Sequence, residues 1–197
     1  MQLFYSPMSP FARKVRVVAH EVGLADRVVI LETKPFEDES LRAVNPLSKV
    51  PCMLTDDGVA LHDSRVICEY LDTTAGAGLI PAGGPARWRA LTIQSLADGV
   101  GDAAVRTAQE RRRTEGDQHA DVIARQLKAI EAALDLFEAE DFGGGWRIAE
   151  IAVAAHLGYL DFREVVDWRP GRPRLSAWYE KASKRHSMVA TEPYQIA

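Results

Sequence analysis

Apolar residues along this chain change their spacing about a third of the way in. Gln2–Tyr5 is a short apolar run, and Pro10–Glu21 follows with Phe11, Val15, Val18 and Val22 at helical intervals. These predict a strand and then a helix, which Gly23 ends as a C-terminal glycine does. Val28–Glu32 reads as a second strand, and strand–helix–strand implies a parallel pair joined by a right-handed crossover. The polar stretch Thr33–Asn45 has room for one helical turn. Cys52–Leu54 and Val59–Leu61 flank Asp56-Asp57-Gly58, a hairpin signal, and Ser64–Leu71 closes this part as a helix. The order over residues 1–75 is βαβ followed by ββα.

Glycine and proline then crowd residues 76–85, which read as a linker. From 86 to 197 the strand signals disappear. Ala86–Arg113 predicts a long helix with Trp88, Leu91, Ser95 and Leu96 on one face, broken near Gly99 and Gly101. Ile123, Leu127, Ile130, Leu134 and Phe137 form an apolar stripe on a further helix. Gly143-Gly144-Gly145 precedes Trp146–Phe162, a largely apolar segment predicted to be the core helix of this half. Pro170–Pro173 interrupts again, and Arg174–Arg185 is predicted as the last helix. The pattern is an α/β domain, a linker, and an all-α domain, with no internal repeat.

Composition narrows the class. Of 197 residues, 47% are hydrophobic and 26% charged, and the formal net charge of −4 gives no electrostatic ground for nucleic acid or an anionic membrane. The N-terminal residues lack a basic region followed by an apolar one, and no apolar run approaches the ~20 residues that cross a bilayer. Cys52 and Cys68 are far apart and form no C-x-x-C pattern, as expected of reduced thiols in a soluble cytoplasmic protein. The five histidines (20, 62, 119, 156 and 186) have no metal-ligand spacing, so no metal is expected. Glu110-Arg111-Arg112-Arg113 reads as a solvated helix end or as the border of a dimer cleft. Neither a phosphate-binding glycine loop nor a nucleophile elbow is present.

Three short motifs carry the candidate chemistry. Ser9-Pro10 starts the first helix, serine as N-cap and proline at the first helical position. In redox proteins of thioredoxin-like fold this place holds Cys-Pro-Tyr-Cys; here Ser9-Pro10-Phe11-Ala12 carries neither sulfur, which excludes disulfide exchange through a protein thiolate at this site. A hydroxyl at a helix N-terminus can instead donate to the thiolate of a ligand, helped by the helix dipole. Lowering a thiol pKa by ~2 units takes roughly 2.7 kcal/mol, within reach of one charge-assisted hydrogen bond and a dipole. Val50-Pro51 precedes the third strand, either as a plain strand start or as a cis bond that presents the Val50 backbone to an extended peptide. Asp63-Ser64 opens the next helix, as a cap or as a carboxylate site in which Asp63 faces an ammonium group.

In order and spacing, these segments resemble the cytosolic glutathione S-transferase family over essentially the whole chain. The resemblance rests on Ser9-Pro10-Phe11-Ala12-Arg13-Lys14-Val15-Arg16, Asn45-Pro46-Leu47-Ser48-Lys49-Val50-Pro51, and Asp63-Ser64 with Ile67, Glu69, Tyr70 and Leu71. Gly158-Tyr159-Leu160-Asp161-Phe162-Arg163 is similar to small bacterial members. It implies a thioredoxin-like first domain with a mixed four-stranded sheet, a helical second domain, and glutathione as cosubstrate. It further implies Ser9 as the activating hydroxyl, Val50 on the cysteinyl backbone, Asp63 and Ser64 on the γ-glutamyl group, and Lys34 on the glycyl carboxylate. Tyr5, Met8 and Phe11 would border the bound molecules, and a hydrophobic electrophile, detoxification and a homodimer complete the picture. A non-catalytic binding or stress-response protein of the same fold is the rival reading. A glutathione-dependent reductase or peroxidase would want cysteine at position 9. One departure stands out: where the family carries Ser/Thr-x-x-Asp to cap its buried helix, this chain has Arg147-Ile148-Ala149-Glu150.

Overall fold

The computed structural model describes residues 1–195. The chain forms two compact units, Met1–Arg87 together with the segment from His186, and Trp88–Arg185.

The first unit contains β1 (Gln2–Tyr5), α1 (Pro10–Glu21), β2 (Val29–Glu32), α2 (Glu39–Val44), β3 (Cys52–Leu54), β4 (Ala60–Leu61) and α3 (Ser64–Ala75). The strands form one mixed sheet in the order β2-β1-β3-β4. β1 and β2 are parallel, with Leu3 opposite Ile30, and β3 is antiparallel to both neighbours, with Phe4 opposite Cys52 and Met53 opposite Leu61. This is the mixed four-stranded, thioredoxin-like sheet expected from the βαβ–ββα order. Alternation along β1 sends Phe4 to the face where Leu41 of α2 and Cys52 are buried, with Leu31, Val44 and Val50 against them.

α1 begins at Pro10 behind the N-cap Ser9 and is followed by Gly23 at φ +71°. α3 runs one turn past the predicted Leu71, to Ala75, where Gly76 in the left-handed region ends it. The predicted linker is tied down at its start. The buried Asp72 carboxylate accepts from the backbone N–H groups of Leu79 and Ile80 at 2.7 and 2.9 Å.

The second unit holds most of α4 (Gly84–Glu110), with α5 (Ala120–Ala139), α6 (Ile148–Phe162) and α7 (Pro173–Ala182). α4 does not break at Gly99 and Gly101, contrary to the sequence expectation. A mid-helix glycine costs only about 1 kcal/mol relative to alanine, and Ala90, Ile93, Ala97, Val100 and Ala104 carry one buried face straight through.

α6 is the core helix, buried at every position from Ile148 to Leu160. Its missing cap hydroxyl is made good from the other side. The Glu150 carboxylate accepts the Arg147 backbone N–H at 3.0 Å, the half of a capping box that needs no hydroxyl. At the far end, Asp161 accepts from Trp168 Nε1 and from both Nη atoms of Arg169 at 2.7–2.8 Å, holding the turn that follows.

α7 is not the last helix. A short helix, α8 (His186–Val189), follows and packs on α1 in the first unit, with Met188 fully buried. The apolar spacing puts everything from 86 to 197 in one helical domain, because four residues are too few to give α8 a periodic signal.

Candidate functional site

The register of the sheet decides which loops share an end. β1 and β2 run in parallel, so Ser6–Ser9 after β1 and Lys34 after β2 leave at the same edge. β3 runs oppositely and starts at Cys52 beside Phe4, bringing Val50-Pro51 to that edge. β4 turns back once more, and Asp63-Ser64 follow it there. Ser9, Lys34, Val50, Asp63 and Ser64 therefore emerge from one end of the sheet, although up to 55 positions separate them in sequence.

Ser9 is half-buried, and its Oγ accepts the Ala12 backbone N–H at 3.2 Å. Its own N–H is bonded to Ser6 O at 2.9 Å, so the tight turn Ser6–Ser9 fixes the serine backbone. Accepting through oxygen leaves the hydroxyl proton for an acceptor placed at the helix N-terminus. Phe11, on the first turn of α1, is half-buried.

The Val50–Pro51 bond is cis, and Val50 is half-buried against the Phe4–Leu41–Cys52 cluster. Asp63 is exposed and caps α3, its Oδ1 accepting the Arg65 N–H at 2.9 Å, while Ser64 is only 2% exposed. The His62–Asp63 bond is also cis. Lys34 is exposed, directly after Thr33, whose N–H is bonded to Tyr5 O at 2.8 Å.

Sequence reasoning gave no role to the residues that shape the loop into Val50. Buried Asn45 donates from Nδ2 to Lys49 O at 2.8 Å and accepts the Leu47 N–H at 3.1 Å. Ser48 O accepts the Phe36 N–H at 3.2 Å, which ties the segment after Lys34 to the segment before Val50. An asparagine directly before proline is a turn-initiating pair, and that signal was available. Tyr5 is placed differently from the expectation that it borders a ligand. It is 5% exposed, and its hydroxyl is bonded to that of Tyr194 at 2.9 Å.

Both cysteines are fully buried, and burial pushes the Cys52 thiol up to about 11, so its sulfur is a packing group rather than a nucleophile. Among the described residues no cluster of three or more histidine, cysteine or carboxylate side chains could hold a metal ion. Among them, too, no helix is long and apolar enough to cross a membrane. In the second unit, an apolar groove of about 640 Å³ opens between α4 and α5, lined by Trp88, Leu91, Leu96, Val100 and Ala133 among others. Trp88 is 66% exposed there.

Comparison with known proteins adds an independent line. The family model for the glutathione S-transferase N-terminal domain matches residues 8–74, and that for the C-terminal domain matches residues 120–181. The uncharacterized GST-like protein YibF of Escherichia coli K12 is 32% identical, with 98% of each chain covered. A glutathione transferase family member from Pseudomonas fluorescens Pf-5, solved with bound glutathione, is 42% identical. It superposes with a TM-score of 0.95 over 98% of this chain and 99% of its own. A second Pf-5 structure, with bound S-(propanoic acid)-glutathione, is also 42% identical, with a TM-score of 0.90 over 99% of this chain and 100% of its own.

Proposed function

Because the chain belongs to the glutathione S-transferase family, we propose that it binds glutathione at the shared end of the first unit's sheet and transfers the thiolate to a small electrophile. The observation that carries this reading is Ser9, a half-buried N-cap whose Oγ accepts from Ala12 and whose proton faces no such demand. That hydroxyl donates to the glutathione sulfur, and the N-terminus of α1 adds its partial positive charge, so the thiol loses its proton at neutral pH. Ser9 itself need never ionise, since the nucleophile belongs to the cosubstrate.

The remaining residues hold the peptide. The Val50 backbone pairs with the cysteinyl residue as a neighbouring strand would. Ser64 and the first N–H groups of α3 take the γ-glutamyl carboxylate, and Asp63 faces its ammonium group. Lys34 lies on the side of the glycyl carboxylate, and Phe11 borders the peptide from α1. In the chemical step the sulfur lone pair forms a bond to the electrophilic carbon. A leaving group departs with its electron pair or, for an activated alkene, the adjacent carbon takes up a proton. The conjugate bound to the Pf-5 relative bears a carboxyl group, which makes small electrophilic acids the first acceptors to try.

The working form in this reading is a homodimer in the cytoplasm with a role in detoxification. The apolar groove between α4 and α5, with the exposed Trp88 at its edge, is where this reading places the second copy.

Calorimetric titration with glutathione in two buffers of different ionisation enthalpy tests the proposal. Binding with proton release, lost in Ser9→Ala while affinity changes little, is the expected result. Binding without proton release points to a non-catalytic carrier, and no binding at millimolar glutathione overturns the reading.

A further inference from the structure

The segment from His186 to Tyr194 returns to the first unit and is fastened there along its length. Arg13 and Arg16 on α1 donate from Nη2 to the carbonyls of Met188 and Ala190 at 3.1 and 3.2 Å. The Ser187 hydroxyl donates to Glu21 Oε1 at 2.5 Å. At the far end, Tyr194 donates to Glu32 Oε2 at 2.7 Å and shares a 2.9 Å hydrogen bond with the Tyr5 hydroxyl. Met188 and Thr191 are buried under these contacts.

At the near end stands a pair that behaves differently from the rest. The rings of His20 on α1 and His186 on α8 meet edge to face, their centroids 5.7 Å apart. Neutral imidazoles pack well in this way, but two imidazolium ions at that distance repel. The charged groups acting on His20 are Arg16 and Glu21 from α1, Asp26 from the turn after it, and His186 from α8. His186 and Arg16 oppose a positive charge on His20, and Asp26 and Glu21 favour it.

We propose that His20 and His186 form a proton-operated latch that holds the C-terminal segment on α1 at neutral pH and loosens it in mild acid. Burial, His186 and Arg16 together hold the His20 imidazolium below its ordinary 6.5. A histidine whose pKa is depressed by docking favours the docked form above about 6.5 and opposes it as the pH falls below that value. Loosening α8 withdraws Tyr194 from Tyr5 and Glu32, so a proton taken up at one end of the segment is read out beside the end of β1.

Hydrogen exchange on the full-length protein tests this, read as protection factors so that the intrinsic pH dependence of exchange cancels. Between pH 7.5 and 5.5, protection of the Ser187–Thr191 amides should fall on the order of tenfold, the size expected from two partly screened unit charges at this spacing. The amides of α6, measured in the same samples, should not change. In His20→Gln, in His186→Gln and in the double variant the fall should disappear, with protection at pH 7.5 kept. Equal wild-type protection at the two pH values would overturn the latch. So would a fall that persists in the double variant, which would assign the effect to other titrating groups.

Discussion

At the scale of single residues, the side chains that cap and turn the backbone were readable in advance, because their partners lie within four positions. Ser9 on Ala12 and Asp63 on Arg65 are such contacts. Partners that are main-chain atoms far along the chain leave no trace in sequence. Arg13 looks like a solvated helix residue, yet it is 7% exposed and bonded to a carbonyl 175 positions away. Tyr5 likewise meets a partner that sequence spacing does not announce, the side-chain hydroxyl of Tyr194. Ser48 shows what one residue can cost. It sits at φ +51°, 1% exposed, and among the described residues its hydroxyl has no hydrogen-bond partner. The left-handed backbone costs about 1–2 kcal/mol for a residue with a Cβ, and an unsatisfied buried hydroxyl about 1–3. Glycine gives back about 1 in chain entropy. Ser48→Gly should therefore stabilise the protein by at least about 1 kcal/mol and raise Tm by at least about 2–4 °C, as differential scanning calorimetry would show.

At the scale of elements, every strand and the long helices followed from apolar spacing, with boundaries within a few residues. Apart from α8, which is too short to show a period, the departures share a cause: burial outweighs local propensity. α4 ignores two glycines because its packed face is continuous, and α6 starts without a hydroxyl because a chain buried all round has no better place to go. Glu150 then carries the cap alone. Glu150→Ala should lower stability by about 1 kcal/mol in urea unfolding, whereas Glu150→Gln keeps an acceptor for the Arg147 N–H and should cost well under half of that. A similar loss in both variants would mean that the carboxylate charge, rather than the hydrogen bond, starts the helix.

At the scale of the whole molecule, sequence order and spatial grouping disagree only at the end of the chain, where α8 belongs with residues 1–87. Met188 is fully buried in that arrangement. Met188→Ala should cost about 2–5 kcal/mol, the usual range for emptying a buried methionine site. The loss should fall on the first unit: exchange of the Val15–Ala19 amides should accelerate more than that of the α6 amides. Acceleration confined to α6 would contradict the grouping.

This grouping also sets an order of assembly during synthesis. As the ribosome releases the chain, the strands and helices of residues 1–87 emerge well before the Met188 and Ala190 carbonyls that receive Arg13 and Arg16. The second unit has all of its residues, 88–185, before the first unit has all of its own. The unit that begins earlier is thus completed after the one that begins later, and the two arginines of α1 wait for these carbonyls until residues 188–190 have emerged.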